Sequence, residues 1–598
     1  MAWPLAALAL LTLLAVRVCL AAPGTGDGRL AADGYLAATA GDLPEPALLP
    51  RGLGSLLVAG YSELTGAFRR HDSLAGLGRE VLAVAVLCAA VLLWRAGRRL
   101  GLPQATTGVA VLALGLPLLL AVGAVDDQPA VLALPWLLAA GWLIAPGRVT
   151  PPAALLAVVL ALPGVLLAPA ALLVLTSGSA VLLLDRRAGG GRAASGPLRG
   201  RPAVIAVALQ LAAFVAVAAA LPRWDGEPWP GAGGGSALTA AVVVLLVGAL
   251  AAWRLPRRRA LATAAVATAT ADLALTGPPA PLVVALPIAA LLAAELLAAG
   301  ARAALRRAPA PAVGRLVAGG TAAVVLAAAG AAVFLLPLPG SGTAVATGAA
   351  AGRPELPAGT SASAAPTGRG PAARAAQVLA GWVADELPRD AQLVGDRRLV
   401  ADLRHAGLPA GVVSDRGAGS GGRSAPFLVT DGAVPTGGRV IGRIERSSDR
   451  PLLVVDPAPG TPTGDQRQQR RALSAALLAN PTTRADESVR AVLRASDVDP
   501  RPLGILAALA ARSGVGIGAL PPAPHSPADG LPVRDVLIDS VGGRPVGRRE
   551  PATDDLVRLL KAQLPPYAPD RVDVTDRGVL IGYRYASNPD ALVAAATQ

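Results

Sequence analysis

The chain has 598 residues, of which 53% are hydrophobic and only 16% are charged, and its formal net charge is +14. Soluble domains carry about 25% charged residues, so this composition excludes an ordinary soluble protein and indicates a membrane protein. Nearly all of the positive charge is arginine, which a GC-rich genome explains, and arginines in short loops between apolar blocks are typical of topology control. We therefore expect no nucleic-acid partner. The two cysteines, Cys19 and Cys88, lie in apolar blocks and offer neither a disulfide framework nor a cysteine metal site.

Apolar blocks follow one another up to residue 337, and each is close to the ~20 residues that a helix needs to cross a bilayer. The block at 153–184 is too long for one crossing and is interrupted by Pro163-Gly164 and Pro169, so it predicts two short helices joined by a turn. The sequence thus predicts a polytopic α-helical membrane protein with about eleven transmembrane helices. The other nine are expected at 4–21, 79–96, 105–124, 129–145, 203–221, 236–253, 260–276, 281–300 and 316–337.

The arginines predict the orientation of these helices. With a cytoplasmic N-terminus, the Arg95 to Arg99 loop, the Arg148 loop and the loops at 186–201, 254–259 and 302–315 all face the cytoplasm, as the positive-inside rule requires. An odd number of spans then puts the loop at 22–78, the Asp126-Asp127 loop, the Trp224 loop and the C-terminal part outside. We expect a multi-pass protein of the plasma membrane.

Residues 338–372 are rich in Gly, Ala, Ser, Thr and Pro and predict a flexible linker between a transmembrane domain at 1–337 and a soluble domain at 373–598. Helical and strand patterns alternate beyond it, which predicts an extracytoplasmic α/β domain. Helices are expected at 375–386, 397–406, within 464–513 and near 553–563. Strands are expected at AQLVGD, AGVVS, PFLVT, RVIGRIE, PLLVVDP and VRDVLIDS, with a terminal hairpin in RVDVTDRGVLIGYRYAS.

The loop at 22–78 combines acids with an amphipathic stretch. Asp27, Asp33 and Asp42 follow the first span, and the stretch from Leu53 to Leu64 is typical of a helix in the membrane interface. A solvated loop residue is the ordinary interpretation of any one of these acids.

The order of features over residues 5–185 resembles the GT-C superfamily of integral membrane glycosyltransferases, in bacterial, actinobacterial-type form. The similar branch contains the protein O-mannosyltransferases and the lipid A aminoarabinose transferase. One departure is Gly34, which stands where the family has a second acid. The matching residues are Arg17, Asp33-Gly34-Tyr35 in "DGYLAAT", Pro50 through "LLVAGYSELTG", Arg79, and Asp127 in "DDQPAVLAL".

This resemblance implies transfer of a sugar from a polyprenyl-phosphate donor to a glycan, lipid or protein acceptor of the cell envelope. Asp33 would be the general base, and Asp127 or Asp126 would position the acceptor or help to hold a divalent metal such as Mg²⁺ or Mn²⁺. Arg17, together with Arg79, would bind the phosphate, although snorkelling of Arg17 to lipid headgroups is an equally good interpretation. Tyr35 belongs to the same acidic element and is expected at the substrate site.

The loop PRWDGEPWPG has two interpretations. Its tryptophans are typical interface anchors, while the functional alternative is that Trp224 stacks on a sugar and Asp225 binds the sugar hydroxyls. For the whole chain, the alternative to an enzyme is a non-catalytic envelope assembly or scaffold protein, favoured by Gly34 and the low aromatic content. A transporter is disfavoured because the charges collect at one membrane face rather than at mid-membrane.

Overall fold

The computed structural model describes residues 2–20, 28–43, 50–122, 129–144, 151–168, 171–172, 235–255, 262, 265–266, 280–307, 371–415, 426–431, 434–445, 451–527 and 531–597. Contacts between Cα atoms divide the chain into two compact units, Met1–Gly370 and Pro371–Gln598.

Helices make up the described elements of the first unit. They are α1 (Ala2–Leu20), α2 (Arg29–Ala40), α3 (Pro50–Thr65), α4 (Ala67–Arg70), α5 (Leu74–Arg99), α6 (Gln104–Val122), α7 (Pro129–Ile144), α8 (Pro151–Leu167), α9 (Gly235–Arg254) and α10 (Ala280–Arg307).

Three helical segments are long and apolar enough to cross a membrane, namely Trp3–Leu20, Leu74–Arg99 and Val284–Ala303. Shorter apolar segments are found at Gln104–Leu120, Pro129–Leu143, Pro151–Leu167 and Val244–Arg254. These helices are consistent with a membrane-associated protein. The described residues contain fewer qualifying spans than the eleven expected, and the spans predicted at 203–221 and 316–337 lie outside the described residues.

Small residues allow close contact between the first-unit helices. A Cβ atom on Gly115 of α6 would lie 2.4 Å from Cδ1 of Leu11 in α1, and one on Gly108 would lie 3.3 Å from the backbone of Trp3. The starts of α1 and α6 are therefore side by side, and the two helices run parallel. Glycine at such contacts lets helix backbones approach closely, as is common in membranes.

Of the two positions predicted to divide 153–184, Pro163-Gly164 is wrong, because α8 continues through both residues and ends at Leu167, two residues before Pro169. Gly164 packs on α7, where a Cβ atom would lie 2.7 Å from Cγ of Leu137. The glycine therefore serves helix packing and not a turn. Proline is tolerated within such a helix where neighbouring groups compensate for the lost hydrogen bond, and Pro117 and Pro135 also lie inside helices.

The second unit is an α/β fold with elements close to the predicted ones. The helices are α11 (Pro371–Glu386), α12 (Arg397–His405), α13 (Gly464–Ala479), α14 (Glu487–Ala495), α15 (Pro500–Arg512), α16 (Ala552–Lys561) and α17 (Pro589–Ala596). The strands are β1 (Leu393–Gly395), β2 (Val413–Asp415), β3 (Phe427–Thr430), β4 (Arg439–Ile444), β5 (Leu452–Asp456), β6 (Thr483–Ala485), β7 (Val515–Ala519), β8 (Asp535–Val541), β9 (Arg544–Pro545), β10 (Arg571–Thr575) and β11 (Gly578–Gly582).

Capping residues mark the N-terminal ends of two of these helices. The Asp396 carboxylate accepts a hydrogen bond from the Leu399 amide at 2.8 Å and caps α12. Thr463 and Gln466 form a reciprocal capping box at the start of α13. Each of these caps satisfies backbone donors that the first turn of a helix leaves without a partner.

The strands of the second unit form two sheets. The first has the order β2-β1-β3-β5-β4, with β2, β1 and β3 parallel and the other two neighbouring pairs antiparallel. The second has the order β10-β11-β8-β7-β6, with β9 beside β8 and only the β6–β7 pair parallel. The apolar residues of β7, β8 and β11 face α15 and α16 in one core. The predicted α/β class is confirmed, but the section predicted as helical at 464–513 also contains β6.

Candidate active site at the ends of the first helices

The short helix α2 lies in the stretch that the sequence analysis treated as a loop. Gly28 and Gly41 flank it with φ values of 106° and 65°, which glycine adopts without steric cost. Gly28 also lies against α5, where a Cβ atom would come within 3.0 Å of the Ala75 backbone. Two local glycine signals thus delimit the helix, and its packing holds it against α5, which is long and apolar enough to cross a membrane.

Asp33 is buried in this helix, with only 5% of its surface exposed. One of its carboxylate oxygens, Oδ2, lies 3.6 Å from Nε of Arg51 on α3. The interpretation of Asp33 as a solvated loop residue is therefore wrong. Burying a carboxylate is costly unless it is paired, so this position is more constrained than an ordinary surface acid.

Gly34, which departs from the family pattern, has a packing explanation. A Cβ atom at this position would lie 2.9 Å from Cγ1 of Val58 and 3.0 Å from the carbonyl oxygen of Ser55. The helices α2 and α3 approach so closely that a larger residue requires one of them to move. A second acid beside Asp33 is not compatible with this packing.

The two arginines predicted to bind phosphate belong to neighbouring helix ends. Arg79 lies in the first part of α5 and is 1% exposed, and Arg17 is half-buried in the last turn of α1. The thiol of Cys19 interacts electrostatically with both Glu80 and Arg79, so the end of α1 lies near the start of α5. An arginine buried among apolar helices is unusual and favours a functional or strongly paired role.

Tyr35 follows Asp33 by two residues and is half-buried. Its ring packs edge to face on Phe68 of α4, with a centroid separation of 5.2 Å and an interplanar angle of 82°. This contact joins α2 to α4. A role for Tyr35 in substrate binding stays a prediction.

The remaining predicted site residues, Asp126, Asp127, Trp224 and Asp225, lie outside the described residues. The start of α7 gives the nearest described position to the two aspartates. A Cβ atom on Gly54 of α3 would lie 3.4 Å from Cβ of Pro129, two residues after Asp127. The first turn of α7 thus contacts the helix that carries Arg51.

A second polar cluster, which was not predicted from the sequence, lies around Glu80 at the contact of α3 and α4 with α5. Glu80 of α5 accepts a hydrogen bond from the Tyr61 hydroxyl at 2.5 Å and one from Nη2 of Arg70 at 2.8 Å, and it also bonds Nε2 of His71. Burial, together with the bond to Glu80, raises the pKa of Tyr61 to about 12, so its hydroxyl remains a donor at neutral pH. These contacts fasten α3 and α4 to α5.

The two clusters occupy opposite ends of α3. Arg51 and Tyr61 are ten residues apart, which corresponds to about 15 Å along a helix. No short sequence signal brings Tyr61 to Glu80, because the pairing depends on how α3 folds back on α5.

The side chains of α3 that face outward include Leu64, which is 90% exposed. This exposure fits the predicted amphipathic helix at a membrane interface.

The described residues do not supply the ligand set of a divalent metal at Asp33. Mg²⁺ and Mn²⁺ prefer several oxygen ligands, whereas Asp33 lies beside the guanidinium of Arg51. In the described part of the chain, no group of three or more His, Cys, Asp or Glu side chains is arranged to hold a metal ion.

Comparison with protein-family models, with curated proteins and with solved structures finds no match to this chain.

Proposed function

We propose that the protein is a membrane glycosyltransferase that transfers a hexose or pentose from a polyprenyl-phosphate donor to a cell-envelope acceptor. The observation that carries the proposal is the burial of Asp33 beside Arg51 in a short helix between two helices that are long and apolar enough to cross a membrane. A carboxylate held at the end of a helical bundle can meet the sugar of a donor whose lipid remains in the bilayer. Arg79 and Arg17 provide positive charge at neighbouring helix ends for the donor phosphate.

In the proposed reaction, the Asp33 carboxylate takes a proton from an acceptor hydroxyl or amine. The acceptor atom then attacks the anomeric carbon while the bond from that carbon to the phosphate oxygen breaks. Polyprenyl phosphate leaves with the electron pair, and Arg17 and Arg79 stabilise its charge. A single in-line displacement of this kind inverts the configuration of the anomeric carbon.

We also propose the topology on which this reaction depends, with about eleven spans, a cytoplasmic N-terminus and an extracytoplasmic C-terminal unit in the plasma membrane. The parallel arrangement of α1 and α6 supports it. A contact between the ends of α5 and α7 also supports this topology. Nη1 of Arg99, at the end of α5, donates to the Trp142 carbonyl near the end of α7 at 2.6 Å. Helices α5 and α7 therefore start at the same end of the bundle.

This arrangement supports a role for the second acidic element. Pro129 at the start of α7 contacts α3, and Asp127 precedes it by two residues, which is at most about 7 Å of chain. Asp127, or Asp126, would then position the acceptor near Asp33. Trp224 and Asp225 remain proposed sugar contacts from a separate loop.

A non-catalytic assembly or scaffold protein is the second candidate, and the packing of Gly34 favours it. The tight contact with Val58 and Ser55 leaves no room for the second acid of the family pattern. A protein that kept the helical framework while losing the chemistry would tolerate such a change.

Sugar transfer by Asp33→Asn separates the two candidates. The purified full-length protein is placed in proteoliposomes with a panel of radiolabelled polyprenyl-phosphate hexoses and pentoses and a cell-envelope fraction that supplies glycan, lipid and protein acceptors, and transfer of the label from the polyprenyl phosphate to an acceptor is measured. We expect Asp33→Asn to lower the rate by about 100-fold or more, since general bases contribute roughly 10² to 10⁴. Asp42→Asn is the matched control, because Asp42 is an exposed acid just after the same helix.

Equal turnover of Asp33→Asn and the unmodified protein would remove the general-base mechanism. Absence of transfer from every donor of the panel by the unmodified protein would favour the scaffold. Binding of the same donors is measured in parallel, so that loss of chemistry is distinguished from loss of the donor site.

A further inference from the structure

The second unit consists of two lobes that meet through hydrogen bonds, ion pairs and an aromatic contact between Phe427 and Tyr585. The first lobe comprises residues 371–456 with the first sheet, and the second comprises residues 464–597 with the second sheet. The amide of Tyr585 donates to the Glu386 carbonyl at 2.7 Å, and the amide of Arg443 donates to the His525 carbonyl at 2.8 Å. Both hydrogen bonds cross from one lobe to the other, so both amides report whether the lobes are docked.

A buried cluster of charges lies at this junction. Glu386, from the end of α11 in the first lobe, accepts from Nη2 of Arg534 at 2.6 Å and lies 3.7 Å from Nη1 of Arg571. The carboxylate of Asp535 accepts from Nη2 of Arg571 at 2.9 Å. Glu386, Arg534 and Asp535 are almost completely buried, whereas Arg571 is one-third exposed.

The four groups named above balance in charge, but the cluster carries one excess carboxylate when the exposed rim residue Asp573 is counted with them. Asp573, at the rim on β10, lies 3.4 Å from Nε of Arg571, so three carboxylates share two guanidinium groups. The neighbouring strand β11 adds no charge, because its residue opposite Asp535 is Gly582, where a Cβ atom would come within 2.7 Å of Oδ1 of Asp535. One proton on the cluster would make it neutral.

Asp535 is a buried carboxylate of this cluster, and its affinity for a proton is raised. The pKa of Asp535 is raised from 3.8 to about 6, with burial as the largest cause; Glu386 contributes to the rise, while Arg571 and Arg534 oppose it. The protonated form is therefore favoured when the lobes are docked and the side chain is buried. An opened junction exposes Asp535 to water and returns it towards its ordinary pKa.

We propose that the Glu386, Arg534, Asp535 and Arg571 cluster is a pH-sensitive latch that holds the two lobes together more tightly in acid than at neutral pH. The direction follows from linkage: a group whose pKa is raised in the docked state stabilises docking at low pH. That stabilisation is fully present below 3.8, the ordinary pKa of an aspartate, and is lost as the pH rises through about 6. Between pH 7.5 and pH 5.0, these values reduce the opening constant roughly tenfold.

Hydrogen exchange in the full-length protein in detergent micelles tests the latch. Exchange at the Tyr585 and Arg443 amides is measured by mass spectrometry at pH 7.5 and pH 5.0 and corrected for the intrinsic exchange rate at each pH. We expect the opening constant at both amides to fall about tenfold at pH 5.0. Amides within one lobe, such as Val454 in β5 and Ile581 in β11, are the internal reference.

Asp535→Asn imitates the protonated side chain. We expect this variant to exchange at pH 7.5 as slowly as the unmodified protein at pH 5.0 and to lose the pH dependence. Asp576→Asn is the control, because Asp576 is an exposed acid on the β10–β11 turn, 3.7 Å from Arg548 and away from the cluster. It should respond to pH like the unmodified protein.

Three results would overturn the proposal. The first is a corrected opening constant at Tyr585 and Arg443 that does not change with pH. The second is an equal change at the reference amides, which would indicate a general effect on stability. The third is an Asp535→Asn protein with the pH response of the unmodified chain. If Asp535→Asn does not fold, the first two comparisons in the unmodified protein still decide the matter.

Discussion

Replacing Tyr585 by phenylalanine removes one hydroxyl group at the junction of the two lobes. This hydroxyl donates to Oδ2 of Asp456 at 2.8 Å, and both residues are almost completely buried. Burial, followed by the bond to Asp456, raises the pKa of Tyr585, so the hydroxyl is a donor throughout the physiological pH range. Without it, Asp456 keeps the hydrogen bond from the Ala458 amide at 3.0 Å but loses its contact with the second lobe.

The charge of the acceptor sets the expected magnitude. Hydrogen bonds to charged groups contribute about 1.5–3 kcal/mol, and those between neutral groups contribute about 0.5–1.5 kcal/mol. Tyr583→Phe is a matched comparison, because the Tyr583 hydroxyl is equally buried and donates to the neutral Tyr567 carbonyl at 2.7 Å. We expect Tyr585→Phe to cost about 2 kcal/mol and Tyr583→Phe about 1 kcal/mol.

Native-state hydrogen exchange of the full-length protein measures these costs. The slowest amides of β5, β8 and β11 report the free energy of opening, with a tenfold faster exchange for each 1.4 kcal/mol or so. The expected costs correspond to exchange about 30-fold faster for Tyr585→Phe and about 5-fold faster for Tyr583→Phe. Equal acceleration in the two variants, or a larger effect of Tyr583→Phe, would refute the assignment of a charged acceptor to Tyr585.

Two further predictions concern the first unit. Gly164→Ala places a Cβ atom 2.7 Å from Cγ of Leu137 and should lower the thermal stability of the detergent-solubilised protein, since overpacking costs about 1–3 kcal/mol. Gly141→Ala in α7 meets nothing within 4 Å and should be neutral or stabilising, so equal melting temperatures of the two variants would contradict the packing argument. Glu80→Gln should speed hydrogen exchange over residues 61–71 by about tenfold. The Glu80 carboxylate accepts hydrogen bonds from Tyr61 and Arg70 and also bonds His71, and the neutral amide would weaken these bonds. Unchanged exchange there would show that these contacts do not hold α3 and α4.

Local sequence patterns were sufficient to predict most of the helices and strands of the second unit. The strands at 393–395, 427–430 and 452–456 coincide with short apolar runs, and α12 begins at the residue after the Asp396 cap. These elements depend on residues a few positions apart, which the sequence displays directly. The final helix α17 also has such a signal, because Asn588 caps it and Pro589 is its first residue, although no helix was predicted there.

The strand β7 shows why other elements were missed. Its sequence VGIGA has glycine at alternate positions, which is unfavourable for a strand by propensity. In the sheet, a Cβ atom on Gly516 would lie 2.1 Å from Oδ1 of Asp539 on β8. The glycine makes room for a neighbouring strand that is more than twenty residues away in the chain, so the reason for it is absent from the local pattern.

In the candidate site, the types of residue were visible in the sequence, but their environments were not. An aspartate between two apolar blocks, an arginine within the next block and an α/β tail after a Gly- and Pro-rich segment follow from composition and periodicity. The sequence does not decide whether Asp33 is solvated or buried, because its exposure depends on the contact of α2 with α3 and α5.

The amino-acid sequence by itself determined that a series of apolar helices is followed by an α/β unit, since hydropathy and periodicity are properties of neighbouring residues. Only the tertiary structure decided that Asp33 lies beside Arg51, that three donors meet at Glu80, and that Glu386 and Asp535 share a buried cluster. These pairs connect residues from 9 to 148 positions apart, a separation that only the packing of complete helices and sheets can close.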